Sequence, residues 1–159
     1  MPEPELYILS IHDEAAERPV LAVDLQHILA ALAPFMPEWV FCVVDLDAVG
    51  TGAAVLCAEV AAAAGHGIWF GAGELGARVA DLDQTIDGTV LAFPKDTDIH
   101  AVSPGELELS HFPGSRAVAA IVAVDSSYFE VYTKQSRVAE QLRCAFRDVR
   151  QHDPADYFV

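Results

Sequence analysis

Ala117-Val118-Ala119-Ala120-Ile121-Val122-Ala123-Val124-Asp125-Ser126-Ser127-Tyr128-Phe129-Glu130-Val131-Tyr132-Thr133 reads as two strands joined by a tight turn. Residues 117–124 are wholly apolar and half of them β-branched, which suits a strand covered on both faces near the centre of a sheet. Asp125-Ser126-Ser127 is turn chemistry. Beyond it, Tyr128, Glu130 and Tyr132 alternate with Phe129 and Val131, the period of a half-exposed strand paired to the first. The segment therefore predicts an antiparallel hairpin, with Val118, Ile121, Val122 and Val124 in the core.

Working outward, Val138, Leu142, Ala145 and Val149 predict a final amphipathic helix with Arg143, Arg147 and Arg150 elsewhere on its surface. Upstream, residues 94–113 are polar and broken by prolines, with a short edge strand at Glu106–Leu109. Asp87-Gly88 signals a turn before a strand at Thr89–Phe93. Glu74–Leu82 predicts a helix facing inward through Leu75, Val79 and Leu82. Ile68-Trp69-Phe70 is a short apolar segment. Ala53–Ala64 is an alanine-rich helix, capped by Thr51 and closed by Gly65, whose single charge is Glu59. Such a helix is mostly buried or packs on a second chain, as in a homodimer. Trp39–Val44 reads as a buried strand. Asp24 caps a helix carrying Leu25, Ile28, Leu29 and Leu32, stopped by Pro34 and Pro37. Leu6–Ile11 is the first strand. The pattern predicts one α+β domain over residues 1–159, with a mixed or antiparallel sheet, packed helices and the order β-α-β-α-α-β-β-β-α.

The 159 residues include 24 acids against 9 bases, a net charge of −15, and 53% are hydrophobic. So apolar a chain does not belong with disordered acidic tails. Its charge argues against non-specific binding to nucleic acid or anionic lipid, both of which need a basic surface. No run of about 18 apolar residues predicts a membrane span. The N-terminus, MPEPELYILS, lacks the basic and apolar regions of a signal peptide. Cys42, Cys57 and Cys144 have no CxxC spacing and cannot all pair, which suits a reducing cytoplasm.

Gly71-Ala72-Gly73-Glu74-Leu75-Gly76 satisfies GxGxxG, and residues 68–96 resemble the glycine-rich turn of Rossmann dinucleotide-binding domains. The resemblance implies that Gly71, Gly73 and Gly76 admit a pyrophosphate at a helix start, with Asp96 near the ribose. Val43-Val44-Asp45-Leu46-Asp47-Ala48-Val49 resembles the nucleophile strand of haloacid-dehalogenase-type phosphatases, implying Asp45 as nucleophile and Asp47 as acid/base. That chemistry also needs a lysine and a magnesium-binding carboxylate pair. Lys95 and Asp125 stand nearest to those roles, but Asp125 is alone before two serines. GxSxG and HExxH are absent, and His12, His27, His66, His100, His111 and His152 are scattered. No catalytic constellation, metal site or cofactor follows from the sequence.

Ten of the acids fall in four clusters: Asp13/Glu14/Glu17, Asp45/Asp47, Asp81/Asp83/Asp87 and Asp96/Asp98. Residues 1–60 hold ten acids and one base, so the charge belongs to the front half. Self-repulsion opposes compactness, and −15 exceeds what solubility asks. In size, acidity and cytoplasmic character the chain resembles the small bacterial immunity proteins of polymorphic-toxin systems, many of which mask a basic nuclease. That resemblance implies a non-enzymatic module for a basic protein partner. The expected contacts are Asp13, Glu14, Glu17, Asp96 and Asp98 on exposed loops. The alternative is a nucleotide-binding protein using Gly71, Gly73 and Gly76.

Overall fold

The computed structural model describes residues 5–14 and 21–158. Its elements are β1 (Tyr7–Ile11), α1 (Leu25–Leu32), β2 (Trp39–Gly50), α2 (Ala53–Ala62), β3 (Ile68–Gly71), α3 (Ala72–Ala80), β4 (Leu82–Pro94), β5 (Ala119–Val124), β6 (Tyr128–Thr133), α4 (Ser136–Ala145) and β7 (Val149–His152). All seven strands join one sheet in the order β3-β2-β4-β5-β6-β1-β7, and every pairing is antiparallel. The fold is α+β.

The 117–133 hairpin forms as its sequence predicts. Val124 lies opposite Tyr128 and Ala119 opposite Thr133. Asp125 and Ser126 take φ of 46° and 57°, and Ser127 N–H donates to Val124 O at 2.8 Å. Two consecutive left-handed residues match the right-handed twist of the flanking strands.

Both faces of the sheet are covered, which explains why β5 is apolar throughout. On one face, Leu9, Phe41, Val43, Val90, Ile121, Phe129 and Val131 pack beneath the helices. The helices contribute Ile28 and Leu32 from α1, Leu56 and Val60 from α2, Leu75 and Val79 from α3, and Val138 and Leu142 from α4. On the other face, Ile8, Cys42, Leu91, Phe93, Ala120 and Tyr132 pack under Leu107 and Phe112. Those two cover residues come from 3₁₀ turns at Pro104–Leu107 and Leu109–Gly114, where the sequence predicted an edge strand. Prolines at 104 and 113 deny that segment a ladder of donors, while Glu106, paired to Arg116 at 2.8 Å, pins it.

Several expectations shift. The four-residue run Ile8–Ile11, no more than 1% exposed, is at least as buried as residues 117–124, where Val118, Val122 and Val124 are only half-buried. The pair Asp87-Gly88 lies inside β4, opposite Asp47 and Leu46, rather than at a turn. Ile68–Gly71 is a strand on the β2 edge. Its entry depends on Gly67, with φ of 69°, where a Cβ would come within 2.2 Å of Cys42 Sγ. The alanine-rich helix buries only Ala53, Leu56 and Val60, and Val55 is 61% exposed. Val149 is not helical, because α4 stops at Ala145 and the chain turns back as β7 against β1.

Candidate functional site

The reason for that turn-back is Asp13. Its carboxylate accepts Arg147 N–H at 3.0 Å on both oxygens and Asp148 N–H at 2.7 Å, and the residue is 7% exposed. Asp13 therefore clamps the start of β7; the expectation that it lies exposed is corrected, since its oxygens face backbone amides. Replacing Asp13 with Ala should leave those amides without partners. The expected loss is about 1–3 kcal/mol in a denaturant titration. Its neighbour Glu14 is exposed, and Glu17 lies outside the described residues.

Asp96 and Asp98 are exposed, as expected, in the turn after β4. Asp98 accepts His100 N–H at 3.1 Å. This end of the sheet also carries Lys95, Lys134 and the pairs Arg116–Glu106 and Arg137–Glu38, so its charge is mixed.

The opposite end is different. β2 and β4 run on past their other neighbours: β3 pairs only with Val40–Val43, and β5 only with Gly88–Ala92. The remainder, residues 47–50 against 82–87, is a two-stranded ribbon projecting from the sheet, with Asp45 at its base opposite Thr89 and register shifts at Val43/Asp45, Asp47/Ala48 and Val49/Gly50. Bulges of this kind bend a ribbon and re-aim its side chains. Gly50, with φ of 138°, lets the strands touch where a Cβ would lie 2.5 Å from Asp83 N.

On this ribbon the strand pairing fuses two clusters that lie about 40 residues apart in sequence. Asp45, Asp47, Asp81, Asp83 and Asp87 are all exposed. Asp125, on the adjoining hairpin turn, is exposed too, and its N–H donates to Asp87 Oδ1 at 2.8 Å. Asp47 sits directly opposite Asp87, a like-charge pair that costs roughly 0.2–1 kcal/mol. Residues 45–50 and 81–88 contain no lysine or arginine, and none of these six aspartates is in an ion pair among the described residues. The sequence lists both clusters but not their merger, which only the β2–β4 register creates.

The glycine-rich turn does join a strand to a helix, with Gly71 as the N-cap of α3. Its surroundings differ from those of a dinucleotide-binding turn. A Cβ at Gly73 or Gly76 would meet nothing within 4 Å, so no close approach within the protein requires a glycine at either position. Glu74 Oε1 lies 3.5 Å from where a Gly71 Cβ would stand, placing negative charge at the helix start. β3 is an antiparallel edge strand, whereas the dinucleotide fold needs parallel neighbours. The Asp45/Asp47 phosphatase reading loses its context in the same way, since Asp45 sits at a bulge of an antiparallel ribbon.

A polar constellation absent from the sequence reading lies near β7. Ser10 Oγ is 2.6 Å from His152 Nε2 and 2.7 Å from His12 Nε2, and Ser10 faces Glu130 across the β1–β6 pair. The spacing is that of a serine–histidine relay, with Ser10 itself only 1% exposed and both histidines half-buried. It is a buried hydrogen-bond network, legible only once β1, β6 and β7 are adjacent. His12 is held below its usual pKa of 6.5, first by burial and then by the Arg150 charge. The folded state thus favours the neutral ring. That contribution is complete above about pH 6.5 and is lost as pH falls through the lower folded value. Between about pH 7.5 and pH 5.5 the melting temperature should fall more for the parent than for His12→Gln.

Among the described residues, Cys42, Cys57 and Cys144 are free thiols, no three His, Cys, Asp or Glu side chains form a metal site, and no helix is long and apolar enough to cross a membrane. Burial pushes the Cys42 thiol up to about 12, making it inert. No protein-family model matches the chain, and comparison with curated proteins and with solved structures finds no match.

Proposed function

We propose that this protein is a non-enzymatic acidic binding module whose partner is a basic protein surface, and that the β2–β4 ribbon is its contact face. The observation that carries the reading is the ribbon with the adjoining turn: six exposed aspartates without a paired base among the described residues, two of them directly opposed. A fold that tolerates such repulsion at one projecting end, while mixing its charges at the other, has kept the charge for an external cation. Asp45, Asp47, Asp81, Asp83, Asp87 and Asp125 replace Asp13 at the centre of the proposed surface. Glu14 lies at the same end of the sheet, and Asp96 and Asp98 become peripheral.

An immunity-type role, neutralising a basic toxin or nuclease in a bacterial cytoplasm, is the form of this function that the size and acidity support. Three free cysteines fit a reducing compartment. The test is binding of the purified chain to the products of the genes beside its own, followed kinetically. Between about 50 mM and about 500 mM salt the association rate should fall at least tenfold while dissociation changes little. Salt-independent association would remove the reading.

A further inference from the structure

The cover on the second face of the sheet stops short of the ribbon. Leu107 and Phe112 pack over Cys42, Leu91, Ala120 and Tyr132, one row across the strands. Further along the strands toward the ribbon, the same face presents Val44, Thr89, Val122, Val124 and Tyr128, all only half-buried. The register sets them side by side, with Thr89 opposite Val122 and Val124 opposite Tyr128. Val44 and Val122 meet the margin of the Leu107/Phe112 cluster, whereas Val124 and Tyr128 belong to neither core cluster among the described residues. A sheet face turned to water carries polar residues in alternation, yet β5 places two valines there. A cleft of about 540 Å³ opens beside this patch, between Val44 and Thr89 on the sheet and a wall made by residues 64–66 and 107–110.

Acids rim the patch on its ribbon side. Asp45 and Asp47 flank Leu46, which points to the helix-covered core, so both carboxylates belong to the second face, with Asp87 opposite Asp47. All three are exposed. An added strand does not suit a sheet face, because its backbone donors and acceptors would meet only side chains. A helix satisfies its own backbone and can lay an apolar stripe on such a surface. The rim then decides its charge, since bases beside the stripe would meet the aspartates. A second copy of this chain is a poor occupant. Among its described helices only α2 exposes a large apolar side chain, Val55, and the one charge of that helix is Glu59. We propose that this half-covered face docks an amphipathic helix of the basic partner. Its apolar stripe lies over Thr89, Val122, Val124 and Tyr128, and its lysines or arginines stand beside Asp45, Asp47 and Asp87. The proposal rests on the acidic-module reading and adds an apolar footprint to it: the aspartates draw the partner in, and the valines hold it.

The test uses the whole protein and a synthetic amphipathic peptide of about 15 residues, roughly four helical turns, with leucines along one face and lysines and alanines elsewhere. A comparator has the same composition in scrambled order, which keeps the charge and removes the stripe. In ¹H–¹⁵N spectra the amphipathic peptide should give saturable shifts centred on the amides of Thr89, Val122, Val124 and Tyr128. The scrambled peptide should bind at least tenfold more weakly at physiological salt. Val122→Ser and Val124→Ser should each weaken the amphipathic peptide severalfold through faster dissociation, while Val55→Ser, the same change on exposed α2, should not. The mapping on the parent protein decides the question even where a valine variant folds poorly. Absence of saturable binding, shifts centred away from these four amides, or folded valine variants that bind like the parent would overturn the proposal. Concentration-dependent shifts of the same amides without peptide would assign the face to a second copy and overturn it too. A scrambled peptide that binds as tightly, with strong salt dependence, would overturn it while leaving the acidic module standing. Salt-independent capture of the amphipathic peptide would remove the acidic reading, and with it the basic class of helix proposed here.

Discussion

Phe41→Ala is expected to lower the stability of this protein by about 3–5 kcal/mol, the usual range for deleting a buried aromatic ring. Phe41 is 0% exposed on β2, on the helix-covered face. Its strand partners are Phe70 on one side and Ala92 on the other, and the Trp39 ring meets it edge-on at 6.1 Å. Ala92 is too small to fill the space, and paired strands on both sides keep the backbone from collapsing into it. The lost contacts and the residual cavity therefore add. Domains are stabilised by about 5–15 kcal/mol in total, so about a fifth of the margin or more goes. At this chain length the melting temperature should fall by about 6–20 °C. Ile121→Ala, at 3% exposure on the central strand, should cost about 2–5 kcal/mol. Val122→Ala, half-buried one residue further on, should cost clearly less than Ile121→Ala. A Phe41→Ala loss below about 1 kcal/mol would mean that the helix-covered face is not the principal core.

The second large effect concerns recognition and has opposite signs in two measurements. Asp45→Lys with Asp47→Lys should slow association with a basic partner at least tenfold at low salt, because long-range attraction becomes local repulsion. The same pair should leave stability unchanged or raise it by roughly 0.2–1 kcal/mol, since a lysine at 47 faces Asp87 in place of an aspartate. Gain of stability with loss of binding is the signature of charge kept for a partner. Asp96→Lys with Asp98→Lys should have a smaller kinetic effect. Those residues follow the far end of β4, which closes seven residues beyond Asp87, the partner of Asp47; at about 3.3 Å per residue that is roughly 23 Å, about two Debye lengths at 0.1 M salt. Equal effects from both pairs would show that net charge, rather than the ribbon, drives the encounter.

The site was legible in its parts and not in its arrangement. Asp45/Asp47 and Asp81/Asp83/Asp87 stand out as clusters in the sequence, yet nothing local ranks them above Asp96/Asp98. Asp13 looks like its neighbour Glu14, although one is buried on three backbone hydrogen bonds and the other is exposed. Asp24 reads as an ordinary helix cap. Its carboxylate also accepts Thr85 N–H at 2.8 Å, a bond that exists only because β4 brings Thr85 beside it, 61 residues along the chain.

By itself the sequence determined the α+β class, the 117–133 hairpin, the four helices in order and the inward residues of α1, because these follow from apolar periods of two and 3.6 and from local turn chemistry. The tertiary structure alone decided the register of β2 on β4, which builds the overhanging ribbon, and the placing of Val149 and Arg150, expected in the last helix, in strand β7. It also decided the burial of Leu107 and Phe112 from a segment that reads as a polar loop. The physical reason is shared by all three. Periodicity reports which way a side chain faces within its own element, whereas strand pairing and burial depend on partners tens of residues away, whose choice is settled by packing over the whole sheet.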